Sequence, residues 1–411
     1  DWGRLDMTSE WNHSTINDVC VLVTDGSHSS PKSVNDGKYM VSVKDFTDYG
    51  FDFASCRMIS NDDYETLKRN GCVPQIDDIL IGKDGARFFE DIIIYRQREK
   101  PALLSSIAIL RCDKSKILPD FLYYVLRTPS FRQDVKDNYG SGSAIPRIIL
   151  KDFKRMMVSY PSLEKQQAII SVLTAIDSKI QANTEINDNL EQQVQTLFAD
   201  WLSANSESAT EIALGNICTK VTDGSHFSPK DDSTSSIPML SVKDMREFDF
   251  DLTSCKHICE DDYEKMVDND CVPQVNDILV AKDGSYLKEI FICNEKRKLA
   301  ILSSIAIFRP NTTVIHPEIL LAFLKSPRVL QEVRDNYVSG SALPRIVLKD
   351  FKKLTFSLPD MDAQNLIAPL FASIREQIAV NVAENKYMTQ LRDTLLPKLM
   401  SGELNVDNIH L

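Results

Sequence analysis

The sequence predicts an α/β fold, of α+β type, in two tandem globular copies. They are separated by two long helices forming an antiparallel coiled coil, with pseudo-two-fold symmetry overall. Three observations lead there. "NYGSGSAIPRIILKDFK" at 138–154 returns as "NYVSGSALPRIVLKDFK" at 336–352, identical at 14 of 17 positions with an offset of 198. Short β-branched runs alternate with helical segments within each copy. After each globular stretch, an apolar ladder with alternating spacings of four and three continues for more than four heptads.

The first globule is expected over 1–155, and the repeat fixes its counterpart at 204–355. "VTDGSHSSPK" at 23–32 matches "VTDGSHFSPK" at 221–230, and "SVKD", "CVPQ" and "LSSIAI" recur at offsets of 198 or 199. Ile79-Leu80-Ile81, Ile92-Ile93-Ile94 and Ile107-Ala108-Ile109 read as buried strands bounded by turns. "PDFLYYVLRTPSFRQDVKDN" and "HPEILLAFLKSPRVLQEVRDN" read as helices opened by Pro119 and Pro317 and broken by Pro129 and Pro327.

The spacer helices are expected at 156–203 and 356–403, with a tail at 404–411. The first ladder runs through Ile169, Leu173, Ile176, Ile180, Asn183, Asn187, Leu190, Val194, Leu197 and Trp201. The second runs through Ile367, Phe371, Ile374, Ile378, Asn381, Asn385, Met388, Arg392, Leu395 and Leu399. A buried Asn costs stability and is tolerated where it fixes register. Antiparallel pairing sets Asn183 opposite Asn385 and Asn187 opposite Asn381. Parallel pairing would also match Asn to Asn; the connectivity favours the antiparallel form.

Composition bounds the function. The net charge of −12 argues against indiscriminate coating of nucleic acid, but leaves room for local basic patches. Residues 138–155 carry Arg147, Lys151, Lys154 and Arg155 against Asp152, and the copy carries Arg345, Lys349, Lys352 and Lys353 against Asp350. Each is +3. Nine cysteines on a long chain read as free thiols in a reducing cytoplasm. Asp1-Trp2-Gly3-Arg4 lacks a signal-peptide layout, and no apolar run is expected to reach the roughly 18–20 residues that cross a bilayer. Cys255, His257, Cys259 and Cys271 suggest a zinc site, but the first copy has Met58 and Ser60 at two of the four positions, so no metal is expected.

No P-loop, G-x-G-x-x-G after a strand, or Asn-Pro-Pro-aromatic tetrapeptide is present, so no cofactor is expected on this chain. Asp25, Ser27 and His28, like Asp223, Ser225 and His226, are too close in sequence for a triad and read as polar loops able to bond DNA. Thr24, Lys32, Thr222 and Lys230 flank them. "KDGA" and "KDGS" read as turns presenting Lys83 and Arg87, or Lys282 and Tyr286, to a ligand. Two rival readings are a self-sufficient nuclease or hydrolase using those Asp/His loops, and a protein-interaction scaffold that never touches DNA.

The "VTDGSH..PK" loops, the "DILI.KDG" and "DILVAKDG" turns, the "SGSA.PRI.LKDF" segments and the two helices together resemble a specificity subunit of a type I restriction-modification system. The resemblance covers essentially the whole chain. It implies two target-recognition domains, each reading half of a split DNA sequence, and a spacer that docks two methyltransferase subunits, with motor-nuclease subunits joining for cleavage. S-adenosylmethionine and ATP are then expected on those partners. Ser141, Ser143, Ser339 and Ser341 offer donors, Gly142 and Gly340 allow close approach, and Arg147, Lys151, Arg345 and Lys349 supply charge to phosphates. The close likeness of the copies departs from the family's common asymmetry and implies two similar, inverted half-sites. Differences in base readout would arise at 33–40 against 231–239, 46–54 against 245–253, and 86–91 against 285–289, where the copies diverge most.

Overall fold

A computed structural model describes residues 11–406 except 86, 141–146, 285–286 and 340–344. The chain divides into two compact units, Asp1–Ile180 with Tyr387–Leu411, and Gln181–Lys386.

Three of the apolar runs form the heart of the first unit. A four-stranded antiparallel sheet has the order Cys20–Asp25, Ile107–Cys112, Ile79–Gly82, Ile92–Ile94. Period-two alternation sends Ile79 and Ile81 to one face and Leu80 to the other. Both faces are covered. On one side Ile79, Ile81, Ala108 and Leu110 pack with Phe121, Leu122 and Val125 of the helix Pro119–Arg127. On the other, Leu80, Ile93, Ile107 and Ile109 pack with Val41, Tyr95 and Leu103. A strand buried on two faces has no polar positions, which is why these runs read as unbroken apolar triplets.

Val41 belongs to a second sheet, ordered Arg57–Ile59, Lys38–Val41, Ala102–Leu103. Pro129 ends one helix and begins the next: Pro129–Asn138 starts with Pro at its first turn, and the Thr128 hydroxyl accepts from Phe131 N at 3.4 Å. The second unit repeats the plan. Its sheet is ordered Cys218–Asp223, Ile305–Pro310, Ile278–Ala281, Ile290–Ile292, with Ile278 and Val280 facing one cluster and Leu279 and Ala281 the other.

The two ladders are single helices, Leu163–Ala204 of 42 residues and Met361–Met400 of 40. Within the second unit, Asn183 Nδ2 donates to Asn385 Oδ1 at 2.9 Å, and Asn381 Nδ2 donates to Asn187 Oδ1 at 2.8 Å. Numbers rise along one helix as they fall along the other, so the pairing is antiparallel. Asn183, Asn187 and Asn381 are buried, as are Ile176 and Ile378; Ile180, Leu190, Ile374, Asn385 and Met388 are half-buried. In the first unit, Arg392 uses its ladder position to donate to Asp177 at 3.0 Å. Ile170, Phe198 and Leu396, which lie off the ladders, are buried too, because each helix also packs against a globule.

By length and composition alone, Met361–Met400 is long and apolar enough to cross a membrane, although no unbroken apolar run in it reaches 18 residues. Ile378 on its ladder is buried and Asn381 donates to Asn187, so one side of this helix faces a partner helix.

One buried side chain in each unit joins globule to helix. Gln166 Oε1 accepts from Leu118 N at 2.8 Å, while its Nε2 donates to Lys116 O at 2.9 Å and Pro161 O at 3.0 Å. Gln364 repeats this with His316 N (3.1 Å), Val314 O (3.0 Å) and Pro359 O (3.0 Å).

Candidate nucleic-acid interface

Four repeated motifs meet at one end of each sheet. The strand Cys20–Asp25 runs into Gly26, whose N–H donates to Ile107 O at 3.1 Å, and Ser27, whose N–H donates to Leu103 O at 2.7 Å. A Cβ at position 26 would collide with Leu103 O, so only glycine lets the loop lie this close to its neighbour. "LSSIAI" closes the other side: Ser105 N donates to Ser27 O at 2.9 Å, and Lys83 N donates to Ser106 O at 2.9 Å. The "KDG" turn in turn holds the basic segment, for Ile148 N donates to Lys83 O at 3.0 Å and Asp84 bridges Arg147 in antiparallel fashion. In the second unit Gly224, Ser225, Ser303, Lys282, Asp283, Arg345 and Ile346 make the same set of links.

Beneath the loop lies a buried ion pair. Lys83 Nζ is 3.2 Å from Asp25 Oδ2, with both side chains under 10% exposed. Lys282 pairs with Asp223 in the same way. An isolated charge at this depth would cost several kcal/mol, so each partner requires the other. The Ser27 and Ser225 hydroxyls are also turned inward, donating to Ser29 O at 2.7 Å and Phe227 O at 2.8 Å. Lys83 and Lys282, expected as presented cations, are therefore internal struts of the loop.

Above the pair the surface is cationic. His28 and His226 are 76% and 78% exposed, each 3.4 Å from its Asp. Lys32, Arg147, Lys151, Lys230, Arg345 and Lys349 are exposed, while Thr24 and Thr222 are half-buried. Arg87 is exposed but bonds Asp91 at 2.7 Å. Ser141, Ser143, Tyr286 and Ser341 fall outside the described residues, as does the side chain of Ser339.

Sequence reading missed three contributors. Arg57 holds the loop after His28 by donating to Pro31 O and Ser30 Oγ, both at 2.8 Å, and Lys256 reaches Ser228 Oγ at 2.9 Å in the copy. A cation at equivalent positions of both repeats was the available signal. Asp84 and Asp283 each keep a buried Oδ1 with no hydrogen-bond partner, the same irregularity at the same turn twice. Phe227, 61% exposed where the first copy has Ser29, puts an aromatic ring on only one of the two loops.

Among the described residues no group of three or more His, Cys, Asp or Glu side chains could hold a metal. Cys255 and Cys271 belong to different apolar clusters, and all nine thiols are free.

Each unit thus carries the same platform of four repeated motifs beside exposed basic side chains. The chain belongs to the family of the type I restriction modification DNA specificity domain, which it matches twice, over residues 8–192 and 207–387. It is 26% identical over 326 residues to the MjaIX specificity subunit of a type I restriction enzyme from Methanocaldococcus jannaschii, covering 72% of this chain and 71% of that one. The HindI specificity subunit from Haemophilus influenzae is 22% identical over 368 residues, covering 72% and 80%. Similar solved structures include the S subunit of a type I restriction-modification system from M. genitalium, at 17% identity and TM-score 0.48 over 95% of this chain and 96% of that chain. The HsdS subunit from Thermoanaerobacter tengcongensis gives 13% identity and TM-score 0.35 over 98% and 99%. The chain is thus a DNA-recognition subunit of a type I restriction-modification complex, and a non-catalytic one.

Proposed function

We propose that each globule reads one half of a split DNA target, and that the two half-sites are similar and inverted. The duplicated platform carries this reading. The Asp25–Lys83 strut under His28 and Arg147 recurs as Asp223–Lys282 under His226 and Arg345. The exposed Arg147, Arg345, Lys151 and Lys349 grip phosphates and set orientation, while the loops at 33–40, 46–54 and 86–91, with their copies, meet base edges. The buried Lys83 and Lys282 support those loops without touching DNA.

The helix pair sets the distance between half-sites and docks two methyltransferase subunits that bring S-adenosylmethionine. Motor-nuclease subunits bring ATP, and adenine methylation and restriction follow in the cytoplasm. Co-expression with the cognate methyltransferase, followed by genome-wide mapping of modified bases, tests the reading. The expected result is one bipartite motif with related halves; a contiguous motif, or none, would overturn it.

A further inference from the structure

The repeat offers an internal contrast at a cluster of arginines. In the first unit, Arg127, Arg132 and Arg392 line one hollow of about 220 Å³, together with Pro129 and Asp393. An offset of 198 sets Lys325, Leu330 and Val194 at the three arginine positions in the second repeat. Lys325 is paired there with Glu191, so that copy holds one cation and its counter-charge. The excess of positive charge belongs to the first repeat alone.

The carboxylates nearby do not balance it. Arg392 holds two of them, with Nη1 at 3.0 Å from Asp177 and Nη2 at 2.8 Å from Asp393. Arg127 donates through Nη1 to the neutral Tyr123 hydroxyl, and its guanidinium carbon lies 4.9 Å from that ring's centre. Arg132 donates through Nη2 to the backbone Glu90 O at 3.2 Å, while the Glu90 carboxylate is turned to Arg87 at 3.7 Å and Lys136 at 3.6 Å. Arg127 Nη2 and Arg132 Nη1 make no hydrogen bond and, unlike the sealed Arg132 Nε, stay accessible. Both side chains are half-buried, and like charges held so close repel. Burial, and then the Arg127 charge, pull the Arg132 guanidinium below its ordinary range, with Arg392 adding to the effect. Arg132 also stands in the first turn of the helix Pro129–Asn138, where the helix dipole opposes a cation and favours an anion. An oxyanion in the hollow relieves both strains, because a guanidinium presents paired N–H donors that fit two oxygens of one such group.

We propose that the hollow lined by Arg127, Arg132 and Arg392 binds a small phosphate dianion, either the free ion or the monoester of a small molecule. Two uncompensated guanidiniums match a charge near −2, which a phosphate monoester carries and a carboxylate or a backbone phosphodiester does not. The space is also smaller than that of drug-sized ligand sites. The proposal stands on this cluster and not on the reading of half-sites. The test is calorimetric titration of the full chain with inorganic phosphate and, separately, with glycerol phosphate; the tighter of the two names the source. One saturable site is expected, with acetate binding at least roughly tenfold more weakly because it brings half the charge. Arg132→Leu, which writes the second repeat's residue into the first, should weaken phosphate binding at least roughly tenfold while circular dichroism stays unchanged. If that variant does not fold, Arg127→Gln serves the same purpose. Absence of a saturable site, equal binding of acetate, full affinity in a folded variant, or displacement of the phosphate by duplex DNA would overturn the proposal.

Discussion

Gln166 accepts a hydrogen bond from Leu118 N at 2.8 Å, and is fully buried while doing so. Its three bonds clamp the start of the long helix to the loop that precedes Pro119–Arg127. Gln166→Ala would strand Pro161 O in the interior and take a partner from Leu118 N and Lys116 O, whose bonds are part-buried. A loss of about 2–4 kcal/mol in urea unfolding is expected, since each buried unpaired group costs about 1–3 kcal/mol. A loss below ~1 kcal/mol would mean that the clamp is not needed.

The exposed arginines make a functional prediction. Arg147→Ala and Arg345→Ala should each weaken duplex binding by about 1–3 kcal/mol and flatten its salt dependence, as expected for lost phosphate contacts. Thermal unfolding should stay where it was. If both variants bind DNA like the wild type, the rim is not the contact surface.

The strut beneath them behaves oppositely. Asp25→Asn leaves the buried Lys83 with only Asp84, 3.9 Å away, as counter-charge and should cost up to about 3–5 kcal/mol of stability. Adding Lys83→Met removes the stranded charge and should recover most of that loss. Additive losses in the double variant would show that the two side chains are not coupled.

The strands, the Pro-broken helices and the matching of Asn to Asn were legible in the sequence, because burial on both faces and heptad spacing are local patterns; the antiparallel direction was not in the spacing and came from the connectivity. The convergence of "VTDGSH", "KDG", "LSSIAI" and "PRI" was not legible, since backbone bonds such as Ile148 N to Lys83 O join residues 65 apart in sequence with no compositional trace. The inward turn of Lys83 was missed for a related reason. A lysine beside a turn glycine reads as exposed unless its Asp partner, on another strand, is known.

The seam makes a coupled prediction. Asn187→Leu alone leaves Asn381 facing an apolar side chain, whereas Asn187→Leu with Asn381→Leu replaces both polar groups. A double-mutant cycle should return a coupling of about 1–3 kcal/mol by thermal or urea unfolding. Disruption is a separate matter: Leu190→Asp with Met388→Asp should abolish recruitment of methyltransferase subunits, read by co-purification. Normal recruitment would argue that docking does not depend on the helix pair.

Spacing is the last expectation. Ile169 to Trp201 is 32 residue steps, or about 48 Å of helix at 1.5 Å per residue. Major-groove half-sites on one face of DNA lie roughly 34–36 Å apart, so an unread gap near 5–8 base pairs is expected. Deleting one heptad from both helices, about 10 Å of rise, should shorten the gap or end recognition. Methylome mapping that returns the same halves at the same spacing would falsify the ruler.

The glycines at 26 and 224 carry a consequence for how such a protein can change. A methyl group at either position would overlap a carbonyl of the neighbouring strand, so neither site offers a neutral step to a mutating lineage. The close backbone contact on which each loop rests is therefore held by a single missing carbon. Under the proposed reading, a change of preference then falls to the loops that flank these two positions and not to the glycines themselves.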